Sequence, residues 1–262
     1  MKAIILSASS DIGIELIKSL KKKGFEVFGT YNTNYPNTNF INPKNLLKLD
    51  IADYDKEEYK NWIKNIGNWD LFVSCIGTQD PVGYITKLEA KDWVKGVTNN
   101  SVHQIGALMN ALKFRNKKKI SNVIFFAGGG TNSATPAYSA QTLGKISLIK
   151  AVELLNDEIE DVKFVILGPG WVKTKIHNST IDAKDKAGKN YEKTISMLKN
   201  EKNLNPIKKV IDDLYKLIEL PKHLVSGRNF SSVHDDLNLD NLERLYKKNK
   251  DFYKLRRNLN NK

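Results

Sequence analysis

The sequence has one cysteine, Cys75, so no disulfide can close within the chain and a reducing cytoplasm is the expected setting. It has no apolar run of the length a membrane-crossing helix needs, and its first residues, MKAIILSASSDIG, turn polar too soon for a secretion signal. No His, Cys, Asp or Glu spacing suggests a metal site. Nor is there a linker, low-complexity block or internal repeat to divide the chain. Acidic residues are outnumbered, 29 against 42 basic ones, which leaves a formal charge of +13. Such an excess attracts polyanions only when it is concentrated. Here the lysines fall in short groups (Lys21 to Lys23, Lys117 to Lys119, then Lys247, Lys248 and Lys250), which reads as solvated surface and not as a nucleic-acid stripe.

What is present is an alternation. At 262 residues and 40% hydrophobic content the chain can bury the core of one α/β domain, residues 1–262. Ala3 to Leu6 reads as a short strand, SASSDIG as a turn, and Ile12, Ile14, Leu16, Ile17 and Leu20 as a helix ended by Gly24. Val27 to Thr30 is the next strand, and this strand, turn, helix, strand unit is the kind whose helix N-terminus accepts a pyrophosphate. The pattern repeats with strands at Leu46 to Leu49 and Leu71 to Cys75, and helices near Glu57 to Ile66 and Trp93 to Leu112. The most informative stretch follows: ISNVIFFAGGG is a buried strand running into three glycines, and apolar residues from Leu143 to Leu155 space a long helix beginning near Ser139. A further strand, Lys163 to Leu167, ends in GPGWVKT. Strands and helices in this order predict a doubly wound, Rossmann-type parallel sheet of about seven strands, with ligands at the carboxyl edge.

The order of motifs resembles the short-chain dehydrogenase/reductase superfamily over nearly the whole chain. Leu6 to Gly13, LSASSDIG, is similar to its TGxxxGIG phosphate turn, and Asp50-Ile51 to its adenine-contacting pair. Ser74 to Gly77 sits where the family has NNAG, Asn100 where it has a helix asparagine, and Pro169 to Thr174 matches PGxxxT. The AGGG loop and the tail resemble a subgroup encoded among glycan-biosynthesis genes. The resemblance implies a nicotinamide cofactor held by Ser7, Ser9, Ser10, Asp11, Ile12, Gly13, Tyr31, Asn32, Asp50, Ile51, Cys75, Ile76, Gly77, Asn100, Lys145, Pro169, Gly170, Val172 and Thr174. It also implies a homodimer or homotetramer paired through the two long helices.

The departures carry information too. Ser7 and Asp11 replace two of the turn's glycines, adding bulk where backbone approaches phosphate. The second strand ends in GTYNTN, without the acid that would hold a ribose diol and repel a 2′-phosphate, so NADP is expected over NAD. In the family a Tyr handles the substrate proton, a Lys four residues later binds ribose and lowers the Tyr pKa, and a Ser orients the carbonyl. Here Tyr138 is followed four residues on by Thr142, whereas Lys145 follows Gln141 by four. Anchored on Lys145, SAQTLGKISL overlays the family's SAYxxSKAAL. In that register the catalytic Tyr is Gln141 and the Ser is Ala127, with Asn100 and Lys145 retained.

A neutral amide does not titrate near neutrality, so Gln141 can bond a carbonyl but cannot serve as its acid. Three readings follow. The chain can be a cofactor-binding protein that is catalytically silent, a partner or sensor. It can be an oxidoreductase, on a sugar or nucleotide-linked sugar, that uses Tyr138 with Thr131 or Ser133. Or Asn100 and Lys145 can support other chemistry with water as the acid. Residues 175–200 are the expected substrate lid, residues 240–262 a C-terminal helix and tail, and Ala127, Gly128, Trp171 and His177 the expected substrate contacts.

Overall fold

The computed structural model describes residues 1–36 and 39–257. The end of the expected C-terminal tail, residues 258–262, lies outside the described residues. Seven strands form one parallel sheet: β1 (Lys2–Leu6), β2 (Glu26–Tyr31), β3 (Leu46–Lys48), β4 (Leu71–Ser74), β5 (Ser121–Phe126), β6 (Val162–Gly168) and β7 (Arg228–Ser231). Their spatial order is β3-β2-β1-β4-β5-β6-β7, so the winding reverses between β1 and β4. A crevice opens at the carboxyl ends of strands at such a reversal.

The helices are α1 (Asp11–Lys22), α2 (Glu57–Ile66), α3 (Ala90–Asn99), α4 (Val102–Leu112), α5 (Ser139–Glu158), α6 (Asn178–Ala183), α7 (Lys189–Lys199), α8 (Ile207–Glu219), α9 (Lys222–Val225) and α10 (Leu239–Lys248). Alternate residues of β1 show why the strands read as unbroken apolar runs. Ala3 and Ile5 pack with Leu16, Ile17 and Leu20 of α1 and with Leu214 and Leu217 of α8. Ile4 and Leu6 join Tyr59 and Ile63 of α2, Leu108 of α4, and Leu148 and Val152 of α5 on the opposite face. Both faces are therefore dry, and a polar residue at any of these positions would be buried without a partner.

The helix expected from Trp93 to Leu112 is two helices, α3 and α4, broken at Asn100 and Ser101. The break is fixed from outside the segment. The Asn100 amide nitrogen donates to the carbonyls of Gly96 (2.9 Å) and Thr78 (3.0 Å), while its oxygen accepts from the Thr78 N–H (3.2 Å). Helix α5 then lies directly on the break: a Cβ on Gly144 would stand 2.5 Å from the Asn100 Cβ and 2.8 Å from the Val97 carbonyl oxygen. Only a glycine lets the two backbones come this close, and the approach sets Lys145 and Gln141 relative to Asn100.

Candidate functional site

At the end of β1 the chain turns through Ser7, whose φ of 59° is in the left-handed region that glycine adopts freely. The Ser10 hydroxyl donates to the Ser7 carbonyl (2.8 Å) and accepts from the Gly13 N–H (3.1 Å), capping α1 in place of a glycine-rich turn. Gly13 is required here, since a Cβ would lie 2.7 Å from the Ser7 carbonyl oxygen. Asp11 points out of the turn to the segment after β6. Its carboxylate accepts the Lys175 N–H at 2.6 Å, and the Lys175 ammonium stands 3.6 Å from its other oxygen.

Toward the sheet edge, β2 ends at Tyr31, whose ring meets Tyr35 edge-on at 5.1 Å, and Asn32 beside it is exposed. Asp50 accepts the Ala52 N–H (3.0 Å) and so caps the short turn Ile51–Asp53, in which Ile51 is buried. Beyond β4, the Cys75 N–H donates to the Leu6 carbonyl (3.0 Å), tying the two crevice-forming strand ends together. Burial pushes the Cys75 thiol up to about 12.

Lys145 is 3% exposed, and its ammonium donates to the Ile76 carbonyl at 2.8 Å. Burial pulls its pKa down to about 8, against a smaller opposing pull from Cys75. An ammonium has three N–H donors, and a single carbonyl does not use them. A Cβ on Gly128, just past β5, would meet the Lys145 Cγ at 3.0 Å and approach the Gln141 amide nitrogen at 3.8 Å, so the lysine stem lies directly against the Gly128 backbone. Ala127 precedes it, buried, with its N–H on the Leu167 carbonyl (3.0 Å). Ala127, Gly128, Gln141 and Lys145 therefore share one corner of the crevice, and Asn100 abuts it through Gly144.

Tyr138 and His177 face elsewhere. The Tyr138 hydroxyl bonds the Thr180 hydroxyl of α6 at 2.6 Å, which in turn donates to the Gln79 side chain (2.6 Å), and Tyr138 packs with Val82, Ala137 and Ala187. Ser179 adds a bond to Asp80 (2.9 Å), so α6 is docked on the β4–α3 loop by two consecutive residues. His177, expected as a substrate contact, is instead buried and stacked on Trp171 with ring centroids 5.1 Å apart. Its Nε2 meets the Val172 carbonyl (2.9 Å), its Nδ1 has no partner, and burial lowers its pKa. Gly170 turns at φ 75°, and Asn205 holds the loop by donating to the Pro169 carbonyl (2.7 Å). The expected lid, 175–200, is mostly helical, comprising α6 and α7.

The site was missed by sequence reasoning at three points: the Asp11–Lys175 pair, the Tyr138–Thr180–Gln79 chain and the burial of His177. The first two join residues 164 and 42 positions apart. No local pattern encodes either. Among the described residues no cluster of His, Cys, Asp or Glu could hold a metal ion, and no helix is long and apolar enough to cross a membrane.

No family model matches this chain. An uncharacterized oxidoreductase of Schizosaccharomyces pombe is 24% identical over 184 residues, 68% of this chain and 74% of that protein. A short-chain dehydrogenase/reductase of Saccharomyces cerevisiae superposes with a TM-score of 0.76 at 19% identity, covering 90% of this chain and 97% of that one. BdcA, whose structure is a complex with NADPH, superposes with a TM-score of 0.69 at 15% identity over 88% of this chain and 91% of its own. The architecture is a doubly wound, Rossmann-type α/β fold. More narrowly, the chain has the short-chain dehydrogenase/reductase fold.

Proposed function

We propose that this protein binds a nicotinamide dinucleotide at the carboxyl edge of the sheet and has given up the tyrosine-dependent proton transfer of carbonyl reduction. One observation carries the reading: Lys145 is buried beside Gly128 with Gln141, not a tyrosine, one helical turn before it. The cradle suits the cofactor on its ribose side, where Lys145 has N–H donors to spare. A bound nicotinamide supplies hydride chemistry; the chain's own part is to position it. Lys145 holds the ribose hydroxyls, Asn100 fixes the Thr78 backbone at the crevice wall, and Ile51 and Asp50 border the adenine. The lack of an acid at Tyr31-Asn32 favours NADP over NAD. Gln141 suits a hydroxylated, sugar-type molecule, since its amide both donates and accepts hydrogen bonds. Exposed Val102 and Met109 on α4 and Leu143 and Leu154 on α5 support pairing of two copies through these helices.

The retained half of the machinery binds and the replaced half would have moved a proton, so the protein acts as a cofactor-binding partner or sensor. Fluorescence titration with NADPH and NADH tests this. Micromolar NADPH binding that weakens at least tenfold in Lys145→Ala is expected; no binding of either dinucleotide by the folded wild type overturns the reading.

A second reading, an active oxidoreductase with Tyr138 as its acid, is favoured by the hydroxyl chain from Tyr138 to Thr180 and by the relative from Schizosaccharomyces pombe, which bears the name oxidoreductase. It requires NADPH-dependent reduction by the wild type that Tyr138→Phe abolishes.

A further inference from the structure

An acidic residue in the first turn of a helix is ordinary, and alone Asp11 would call for no comment. Its partner is what sets it apart. Lys175 lies 164 residues away, on the segment after β6, and it engages the turn three times: its N–H bonds the Asp11 carboxylate at 2.6 Å, its ammonium stands 3.6 Å from that carboxylate, and the same ammonium donates to the Ser9 carbonyl at 3.3 Å. If the carboxyl edge holds a dinucleotide as proposed above, its diphosphate would lie against this turn, at the N–H groups that open α1. The segment is pinned again a few residues on, by Ser179 to Asp80 and Thr180 to Gln79. With the diphosphate, two anions would then compete for one ammonium and for the N–H groups at the start of α1.

We propose that Asp11 is an internal anion that holds the start of the lid, through Lys175, against the phosphate turn, and that a dinucleotide's diphosphate displaces it and takes over Lys175. The proposal rests on the reading that this edge binds a nicotinamide dinucleotide. It gives a physical role to a carboxylate in a place where bare backbone would bind phosphate better. Binding then includes an exchange: the Asp11 carboxylate turns to solvent, the Lys175 ammonium moves from carboxylate to phosphate, and the Lys175 N–H is freed. Cofactor affinity is reduced by that exchange, and entry of the cofactor loosens the first anchor of the lid.

The experiment uses the full chain with NADPH as probe and the variants Asp11→Asn, Asp11→Gly and Lys175→Met, each checked for native circular dichroism. Two readouts are taken: NADPH affinity by fluorescence, and the rate of tryptic cleavage between residues 173 and 186 without cofactor. Removing the charge in Asp11→Asn is expected to tighten NADPH by about tenfold, the effect of relieving roughly one close like-charge contact. Asp11→Gly is expected to do the same and to be cleaved several-fold faster. Lys175→Met is expected to weaken NADPH about tenfold in the wild-type background and less when Asp11 is Asn, because no unpaired carboxylate then faces the phosphates. NADPH affinities within twofold of wild type in both Asp11 variants would overturn the exchange while leaving cofactor binding standing. Failure of the wild type and every variant to bind NADPH or NADH would overturn the cofactor reading, and the exchange with it.

Discussion

If Gln141 stands in the place of a proton donor, a tyrosine there should create an activity the wild type lacks. The perturbation is the pair Gln141→Tyr and Ala127→Ser on an otherwise native chain. Helix α5 places residues 141 and 145 one turn apart on the same side. The Lys145 ammonium, anchored by the Ile76 carbonyl, is then a close cation for a phenol at 141. An opposite charge at that range lowers a tyrosine pKa of about 10 by roughly 1–3 units, which brings it toward neutrality. A positioned general acid is worth about 10²–10⁴-fold, so the double variant should reduce aldehydes or ketones that much faster than wild type. Because the phenol must be protonated to donate, reduction should fall as pH rises through the lowered tyrosine pKa. Its loss should overlap the deprotonation of Lys145, whose pKa is about 8. Consumption of NADPH with a panel of aldehydes, ketones and aldoses is the assay, in wild type, both single variants and the double. Tyr138→Phe should change none of these rates, since that hydroxyl is committed to Thr180. A folded double variant that binds NADPH as wild type does yet reduces nothing faster would show that Lys145 does not fix the register as argued.

Two further outcomes follow from the packing around the site. Glu153 on α5 has a side chain 9% exposed and is bridged by Arg256 and Lys150, which hold its pKa down at about 2. A depressed carboxylate contributes stability above its unfolded pKa of about 4.3 and loses it as pH falls through about 2. Chemical denaturation should find Glu153→Gln roughly 2–3 kcal/mol less stable at pH 7, with the gap to wild type closing below about pH 3. Gly144→Ala forces a Cβ to within 2.5 Å of the Asn100 Cβ, so thermal melts should show about 1–3 kcal/mol of destabilisation. NADPH binding should weaken with it, because Asn100 and Lys145 are the groups displaced.

The sheet was legible because a strand buried on both faces writes its burial locally, as NVIFF and FVIL do, and because glycines mark where it turns. The seventh strand, Arg228–Ser231, was less so: it is short, and its first residue is an arginine buried by bonds to the carbonyls of Leu224, His223 and Phe252. The break between α3 and α4 was invisible because Val94 to Leu112 has no proline and a continuous helical pattern; Thr78, far back in sequence, makes the break.

Within the site the same division holds, and it separates what one helix can say from what two loops say together. The Gln141 to Lys145 interval lies inside α5, where a turn of helix converts spacing into proximity, so the nearness of these two side chains could be read from the letters alone. Tyr138 is on the loop just before that helix, and spacing alone left it a candidate acid; its orientation is set by Thr180 and by the apolar cluster around Val82. Asp11 shows the point most sharply. From sequence it is added bulk in a glycine turn. In the fold its side chain points out of that turn, onto Lys175 on the segment after β6. Viewed one motif at a time Asp11 only adds bulk to a turn; viewed across the crevice it is half of an ion pair with Lys175, the group proposed to pass to the phosphate.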